Sequence, residues 1–227
     1  MLPKHETLWD RVNKSNDIAD TYCTIFALFR FFFTRTTHLA YALILIILIS
    51  CGGGGGGTES GTVSASSYPI AVIGDSLSRD VAPYFPADNL AVGGASTVDM
   101  IDRIQVEDLS SYEKIYVMAG INDLVVDGWE VDAILSHYSD LLDIIRAKTK
   151  AVIIVQSTLP IYDREVNKDV QKLNRGLQSL AMAKGLRYFD LWVLFLDLDT
   201  GALYATKTTD GVHLTGDACR EWAEYIK

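Results

Sequence analysis

Tyr68-Pro-Ile-Ala-Val-Ile-Gly-Asp-Ser-Leu77 is the stretch on which the reading of this chain turns. Its apolar run, Ile70 to Ile73, has the unbroken hydrophobicity of a strand buried on both faces of a parallel sheet. The run stops at Gly74-Asp75-Ser76, where a small residue lets the chain turn and leaves a hydroxyl at the strand's carboxyl end. In open α/β sheets that end is where ligands bind. Ser76 is therefore either a nucleophile or merely the N-cap of the helix that follows, and the rest of the chain must decide.

Downstream, strand and helix patterns alternate. Leu77 to Phe85 has room for a short helix ending near Pro86, and Asn89 to Val92 is a brief strand running into Gly93-Gly94. Val98 to Leu109 is a mostly helical pattern through Met100, Ile101, Ile104 and Val106. Lys114 to Ala119 is a third strand, stopping at Gly120-Ile-Asn-Asp123. Trp129 to Thr149 is a long amphipathic helix buried through Val131, Ile134, Leu135, Leu141, Leu142 and Ile145. Ala151 to Gln156 is a fourth strand, Val166 to Lys184 a second long helix ended by Gly185, and Arg187 to Leu191 a fifth strand. An irregular segment spans Leu194 to Val212, and Asp217 to Ile226 closes the chain as a helix. Such alternation predicts a three-layer α/β/α sandwich with a five-stranded parallel sheet in flavodoxin-like order 2-1-3-4-5. The carboxyl ends of the first three strands then share one rim.

Four features fall on or near that rim: Ser76, Gly93-Gly94, Asn122, and the loop Thr209-Asp-Gly-Val-His-Leu214. A serine hydroxyl needs a base to take its proton. Of the two histidines after Tyr68, His137 sits inside the long helix and is expected to be a surface or packing residue. His213 follows Asp210 by three residues, a spacing that lets the carboxylate fold back and fix the imidazole tautomer. An Asx-turn before a helix explains the same spacing. For a tetrahedral oxyanion, the Ser76 N–H, the Gly94 N–H and the Asn122 side-chain amide are candidate donors.

Gly74-Asp75-Ser76-Leu77, the Gly before Ala95-Ser96-Thr97, Gly120-Ile121-Asn122-Asp123 and Asp210-Gly211-Val212-His213 resemble, in order, the four blocks of the SGNH (GDSL) hydrolase superfamily. The resemblance covers nearly all of Tyr68 to Lys227. It implies Ser76 as nucleophile, Asp210 and His213 as its triad partners, and Gly94 and Asn122 beside Ser76 in the oxyanion hole, with Gly93 the alternative glycine. No Gly-x-Ser-x-Gly elbow points to the α/β-hydrolases. Asp75 and Asp123 are expected to be structural carboxylates that bond nearby backbone N–H groups. A metal site built from Asp75, Asp123 and Asp210 is not expected, since each lies in a block with another role.

Charge and cysteines narrow the partners. The 227 residues carry a formal charge of -9, and past Cys51 there remain 15 Lys/Arg against 25 Asp/Glu. So acidic a body repels phosphate backbones, which argues against nucleic acid. Cys219 is the one cysteine of three that falls after Tyr68, so no disulfide forms within that part. Arg30 and Arg35 precede an apolar run, Leu39 to Ser50, that suits a signal-peptide h-region better than a spanning helix. Its end, Leu48-Ile-Ser-Cys51 before six glycines, resembles the lipobox of bacterial lipoproteins, which implies cleavage before Cys51 and lipidation there. The alternative is an uncleaved membrane anchor. Gly52 in place of Asp suggests the outer membrane. The resulting division is a leader at 1–50, a lipidated Cys51 with a Gly/Ser-rich tether at 51–67, and a hydrolase domain at 68–227.

The expectation is a serine esterase of the bacterial cell envelope, lipid-anchored and facing the periplasm, that cleaves small or short-chain acyl esters. No cofactor is required, and protein partners are not indicated. The family range implied is lysophospholipase-, arylesterase- or carbohydrate deacetylase-like. Val193 to Lys207, with Trp192, Phe195, Leu203 and Tyr204, is either a pocket wall or a cover for the sheet edge. Competing classes are a non-catalytic surface binding module on the same fold and a nucleotide-binding flavodoxin-like protein. From Tyr68 onward the chain lacks both nucleotide motifs, Gly-x-x-x-x-Gly-Lys and Gly-x-Gly-x-x-Gly.

Overall fold

In the computed structural model residues 68–227 are described; the leader, Cys51 and the tether to residue 67 lie outside them. The chain order is β1 (Ile70–Gly74), α1 (Ser76–Val81), a 3-10 turn (Ala82–Tyr84), β2 (Asp88–Asn89), α2 (Thr97–Ile104), β3 (Lys114–Met118) and α3 (Ile121–Val125). Then come α4 (Val131–Lys148), β4 (Val152–Gln156), α5 (Arg164–Ala183), β5 (Arg187–Phe189) and α6 (Trp192–Phe195). The small strands β6 (Leu196–Asp197) and β7 (Ala202–Leu203), a 3-10 turn (Ala205–Lys207) and α7 (Gly216–Ile226) complete it.

Strands β1 to β5 form one sheet in the order β2-β1-β3-β4-β5, all pairs parallel. Successive side chains of a strand point to opposite faces, and both faces here are dry. Ala71, Ile73, Ile115, Val117, Ile153 and Val155 meet α2, α4 and α5 on one side, through Met100, Ile134, Leu141, Leu173 and Leu177. Val72, Tyr116 and Ile154 meet α1 and α7 on the other, through Leu77, Val81, Ala218 and Trp222. Burial on both sides is why the strand sequences run apolar without alternation. Tyr138 carries the one polar tip in the α4 stripe, and its hydroxyl donates to the Val117 carbonyl at 3.0 Å.

Three boundaries differ from expectation. The β2 ladder is only two residues long, yet Leu90 and Val92 still donate to Val72 and Gly74, so the chain stays against β1 as far as the glycine turn. Helix α2 stops at Ile104, and Val106, which the helical pattern had included, is exposed. The segment read as irregular holds α6 and the β6–β7 pair; its Phe195 and Leu203 are buried against the α7 side of the core. For those two residues the pocket-wall reading is wrong, because their side chains fill the core beside Trp222.

The join of β1 to α1 depends on Gly74. A Cβ there would lie 2.6 Å from the Met118 carbonyl oxygen and 2.2 Å from Ser78 Oγ. Gly74 is paired with Met118 across the β1–β3 ladder, so the strand cannot step aside without breaking register. Gly74→Ala is expected to destabilise the protein by about 1–3 kcal/mol, measured as a lower urea midpoint at unchanged slope.

Candidate active site

The order 2-1-3 reverses direction between β1 and β3, and a crevice opens at the carboxyl ends of those strands. Ser76 is the first residue of α1 and is nearly buried. The cap of that helix is Asp75, whose carboxylate accepts from the Leu77 N–H at 2.9 Å. The cap role is thus filled one residue earlier than a lone serine after a strand would suggest, and the Ser76 hydroxyl is left for another partner. That partner is His213, whose Nε2 lies 2.9 Å from Ser76 Oγ across 137 residues of sequence.

His213 is carried by a tight loop that ends at Thr215, the cap of α7. Thr208 and Leu214 form a bridge at the loop's neck, and the His213 carbonyl accepts from the Thr209 N–H at 3.0 Å and the Thr208 hydroxyl at 2.8 Å. The tip bends at Gly211, whose φ of +93° lies in the left-handed region that favours glycine. Asp210 divides its two oxygens. Oδ1 accepts from the N–H groups of Val212 and His213 at 2.9 and 2.7 Å, an Asx-turn, while Oδ2 holds His213 Nδ1 at 2.7 Å. Both readings of the Asp-x-x-His spacing are therefore present in one side chain. Partial burial works against the Asp210 charge, but the His213 ring and the two N–H groups outweigh it and hold its carboxyl below the ordinary carboxylate value.

The third wall is made by the glycine turn and α3. Ala95 N–H closes onto the Val92 carbonyl at 3.2 Å, with Gly94 at φ +77° in the second corner, as a type II turn requires. The Gly94 N–H has no acceptor among the described residues. At Gly93 a Cβ would meet only the tip of the half-exposed Arg79 side chain, which can swing aside. Asn122, in the first turn of α3, donates one Nδ2 hydrogen to the Ala95 carbonyl at 3.0 Å. That bond orients the amide and leaves its second hydrogen without a described partner. The neighbouring Asp123 is fully buried and takes both the N–H and the hydroxyl of Thr97. The start of α2 is thereby fastened to α3, and Ser96 caps α2 in a reciprocal pair with Asp99.

Asp75 and Asp123 are both engaged by local N–H groups, so their oxygens serve the scaffold. Burial raises both carboxyl groups. Asp75 is pushed up to about 7 by loss of water, with the Asp123 charge adding to it, against the Leu77 and Ser78 N–H groups that favour the anion. Asp123 is raised by burial first, against the Thr97 hydrogen bonds, with Asp127 adding.

Two residues with a structural hold on this site were not singled out from the sequence. Asn167 and Asn174 lie on the buried stripe of α5. Asn174 accepts from the Thr158 N–H and donates to its carbonyl, both at 2.8 Å, and Asn167 does the same for Ile161 at 2.9 and 2.8 Å. The loop from β4 to α5 is clamped twice in this way. The available signal was positional: two amides on an otherwise apolar helical stripe. His137 packs edge-on against Trp129 with ring centroids 4.3 Å apart, in keeping with a packing role. An apolar cavity of about 420 Å³ opens between β1 and α2, walled by Ile73, Leu90, Val92, Met100 and Ile104. Its lining includes Gly74 and Ala95 but none of Ser76, Asn122 and His213.

The Asp75 shift has a definite sign. Between its ordinary value of 3.8 and about 7, the folded protein keeps a proton that the unfolded chain has released, so stability falls as pH rises through that window. Asp75→Asn keeps a cap acceptor but cannot ionise. Relative to the variant, the parent protein should lose stability between about pH 4 and about pH 7; a constant gap in urea midpoints would contradict this.

Comparison with known proteins places the fold. A family model described as "GDSL-like Lipase/Acylhydrolase family" matches residues 53–220. No curated protein sequence matches the chain. Among solved structures, a GDSL-like lipase from Bacteroides thetaiotaomicron aligns with a TM-score of 0.61 and 18% identity, over 69% of this chain and 86% of that one. An acetyl xylan esterase aligns at 0.59 and 16%, over 69% and 97%. A carbohydrate esterase family 3 protein from Talaromyces cellulolyticus aligns at 0.56 and 15%, over 69% and 93%. Identities so low speak for the fold alone, but the family model spans well over half of the chain and begins before the first strand. The chain belongs to the GDSL-like lipase/acylhydrolase family.

Proposed function

We propose that the protein is a serine esterase in which Ser76, His213 and Asp210 form the catalytic triad. The observation that carries this reading is the continuous relay from Ser76 Oγ to His213 Nε2 at 2.9 Å and from His213 Nδ1 to Asp210 at 2.7 Å. His213 takes the Ser76 proton as the oxygen attacks an acyl carbonyl. The N–H groups of Ser76 and Gly94 and the Asn122 amide receive the oxyanion. Collapse expels the alcohol with the proton from His213, leaving the acyl group on Ser76. Water, deprotonated by His213, then attacks the acyl-enzyme and releases the acid. The sequence of steps balances with protein groups and water alone, and no metal or cofactor enters it.

The substrate in this proposal is a small or short-chain acyl ester, in the range of arylesterases, lysophospholipases and carbohydrate deacetylases. Similarity in fold to an acetyl xylan esterase and a family 3 carbohydrate esterase favours the last of these. The leader, the lipobox-like Leu48 to Cys51 and the glycine-rich tether support a lipid-anchored envelope protein facing the periplasm from the outer membrane. A binding module on the same fold is the competing reading.

Ser76→Ala should abolish hydrolysis of p-nitrophenyl acetate and labelling by a fluorophosphonate while leaving the circular dichroism spectrum unchanged. Retained activity would sink the mechanism, and an inactive, unlabelled parent protein would favour the binding module. Cys51→Ala should move the protein from the membrane to the soluble fraction of expressing cells; unaltered membrane retention would point to an uncleaved anchor.

A further inference from the structure

We infer that Tyr162 is the binding platform for the leaving alcohol, and that the alcohol it fits is a sugar ring. This rests on the esterase reading above and assigns one half of the substrate to one residue. Tyr162, in the loop between β4 and α5, rests against the loop that carries His213: its N–H donates to the Gly211 carbonyl at 2.7 Å. A Cβ on Gly211 would come within 3.0 Å of Tyr162 Cβ and 3.8 Å of its Cγ, so the root of the ring lies against the turn between Asp210 and His213.

The reaction decides which half of the ester is found there. His213 Nε2 must hand its proton to the departing oxygen, so the alcohol lies beside the His213 loop. The carbonyl oxygen faces the opposite side, toward Gly94 and Asn122. A ring seated on the His213 loop therefore meets the alcohol half and not the acyl half.

Tyr162 is also built to receive something. It is 63% exposed, whereas Ile161 beside it is 3% exposed and packed in the core. Its ring makes no aromatic or cation contact among the described residues. Its backbone is nonetheless held on every side. The preceding residue, Ile161, is bonded through both N–H and C=O to the buried Asn167 and accepts from the Leu203 N–H at 3.0 Å, while the following Asp163 caps α5. An exposed aromatic side chain on so fixed a backbone loses little freedom on binding. Tyrosine offers a flat amphipathic face at low entropic cost, which matches the apolar C–H face of a pyranose. The exposed Thr209 hydroxyl near the loop tip suits a sugar hydroxyl. The excess of Asp and Glu past Cys51 disfavours an alcohol bearing phosphate.

The test compares three acetates on the full chain: an O-acetylated methyl xyloside, p-nitrophenyl acetate and ethyl acetate, which has no ring. Tyr162→Ala should lower kcat/KM for the sugar acetate about tenfold, through KM, and leave ethyl acetate unchanged. Tyr162→Phe and Tyr162→Trp should restore it. Equal loss on all three acetates would make Tyr162 a support of the His213 loop and overturn the proposal. Loss on the aryl ester alone, loss on none, or no activity of the parent on the sugar acetate alongside turnover of ethyl acetate would also overturn it. If the parent cleaves none of the three, the esterase reading has failed by itself. Binding of the acetylated xyloside to Ser76→Ala and to Ser76→Ala/Tyr162→Ala, read by saturation-transfer NMR, then decides the Tyr162 assignment separately, with equal signals overturning it.

Discussion

The contact at the end of β1 is the constraint on which the site depends. Gly74 pairs with Met118 in the ladder while the first turn of α1 folds back over it, so close that no side chain fits between strand, carbonyl and Ser78. This lets a helix begin immediately at the strand's carboxyl end. The Ser76 N–H then belongs to the unsatisfied first turn of a helix, and the hydroxyl projects from the same residue. A longer connection would have left Ser76 outside the helix, and its N–H would not be one of the free first-turn donors.

Around that point, buried polar groups hold separate pieces of chain in one arrangement. Asp75 fastens the start of α1, Asp123 ties α3 to α2, and Asn122 closes onto the glycine turn. Two buried carboxyls so placed would oppose an oxyanion if both were ionised. Burial disfavours the charge on each, and most clearly on Asp75. The scaffold thus obtains hydrogen-bond acceptors with less opposing charge than two free carboxylates would bring.

Much of this was legible in the sequence, and the parts that were not have physical reasons. Ile70–Ile73, Lys114–Met118 and Val152–Gln156 were recognisable because strands buried on both faces must be apolar throughout. The strand order followed from alternation with helices. By contrast, β2 is short and at an edge, and little apolar sequence marks it. Val106 continued a helical period that the chain does not follow, since spacing alone cannot say where a helix frays. Phe195 and Leu203 have the composition of either a binding wall or a core, and only the packing against α7 separates the two. Asn167 and Asn174 were not singled out, because an amide on a helix is ordinarily wet and carries no signal of burial. Asp210 was read as a choice between turn former and histidine partner, and it is both, since a carboxylate has two oxygens.

The separation of 137 residues between Ser76 and His213 makes the proposed relay a contact between distant parts of the fold. Ser76, Gly94 and Asn122, the proposed nucleophile and oxyanion donors, are contained in the first three strand–loop units. His213 and Asp210 lie on the loop that leads into α7, which packs against α1. Without the Asp210–His213 loop, the Ser76 hydroxyl has no described partner and the proposed relay is incomplete.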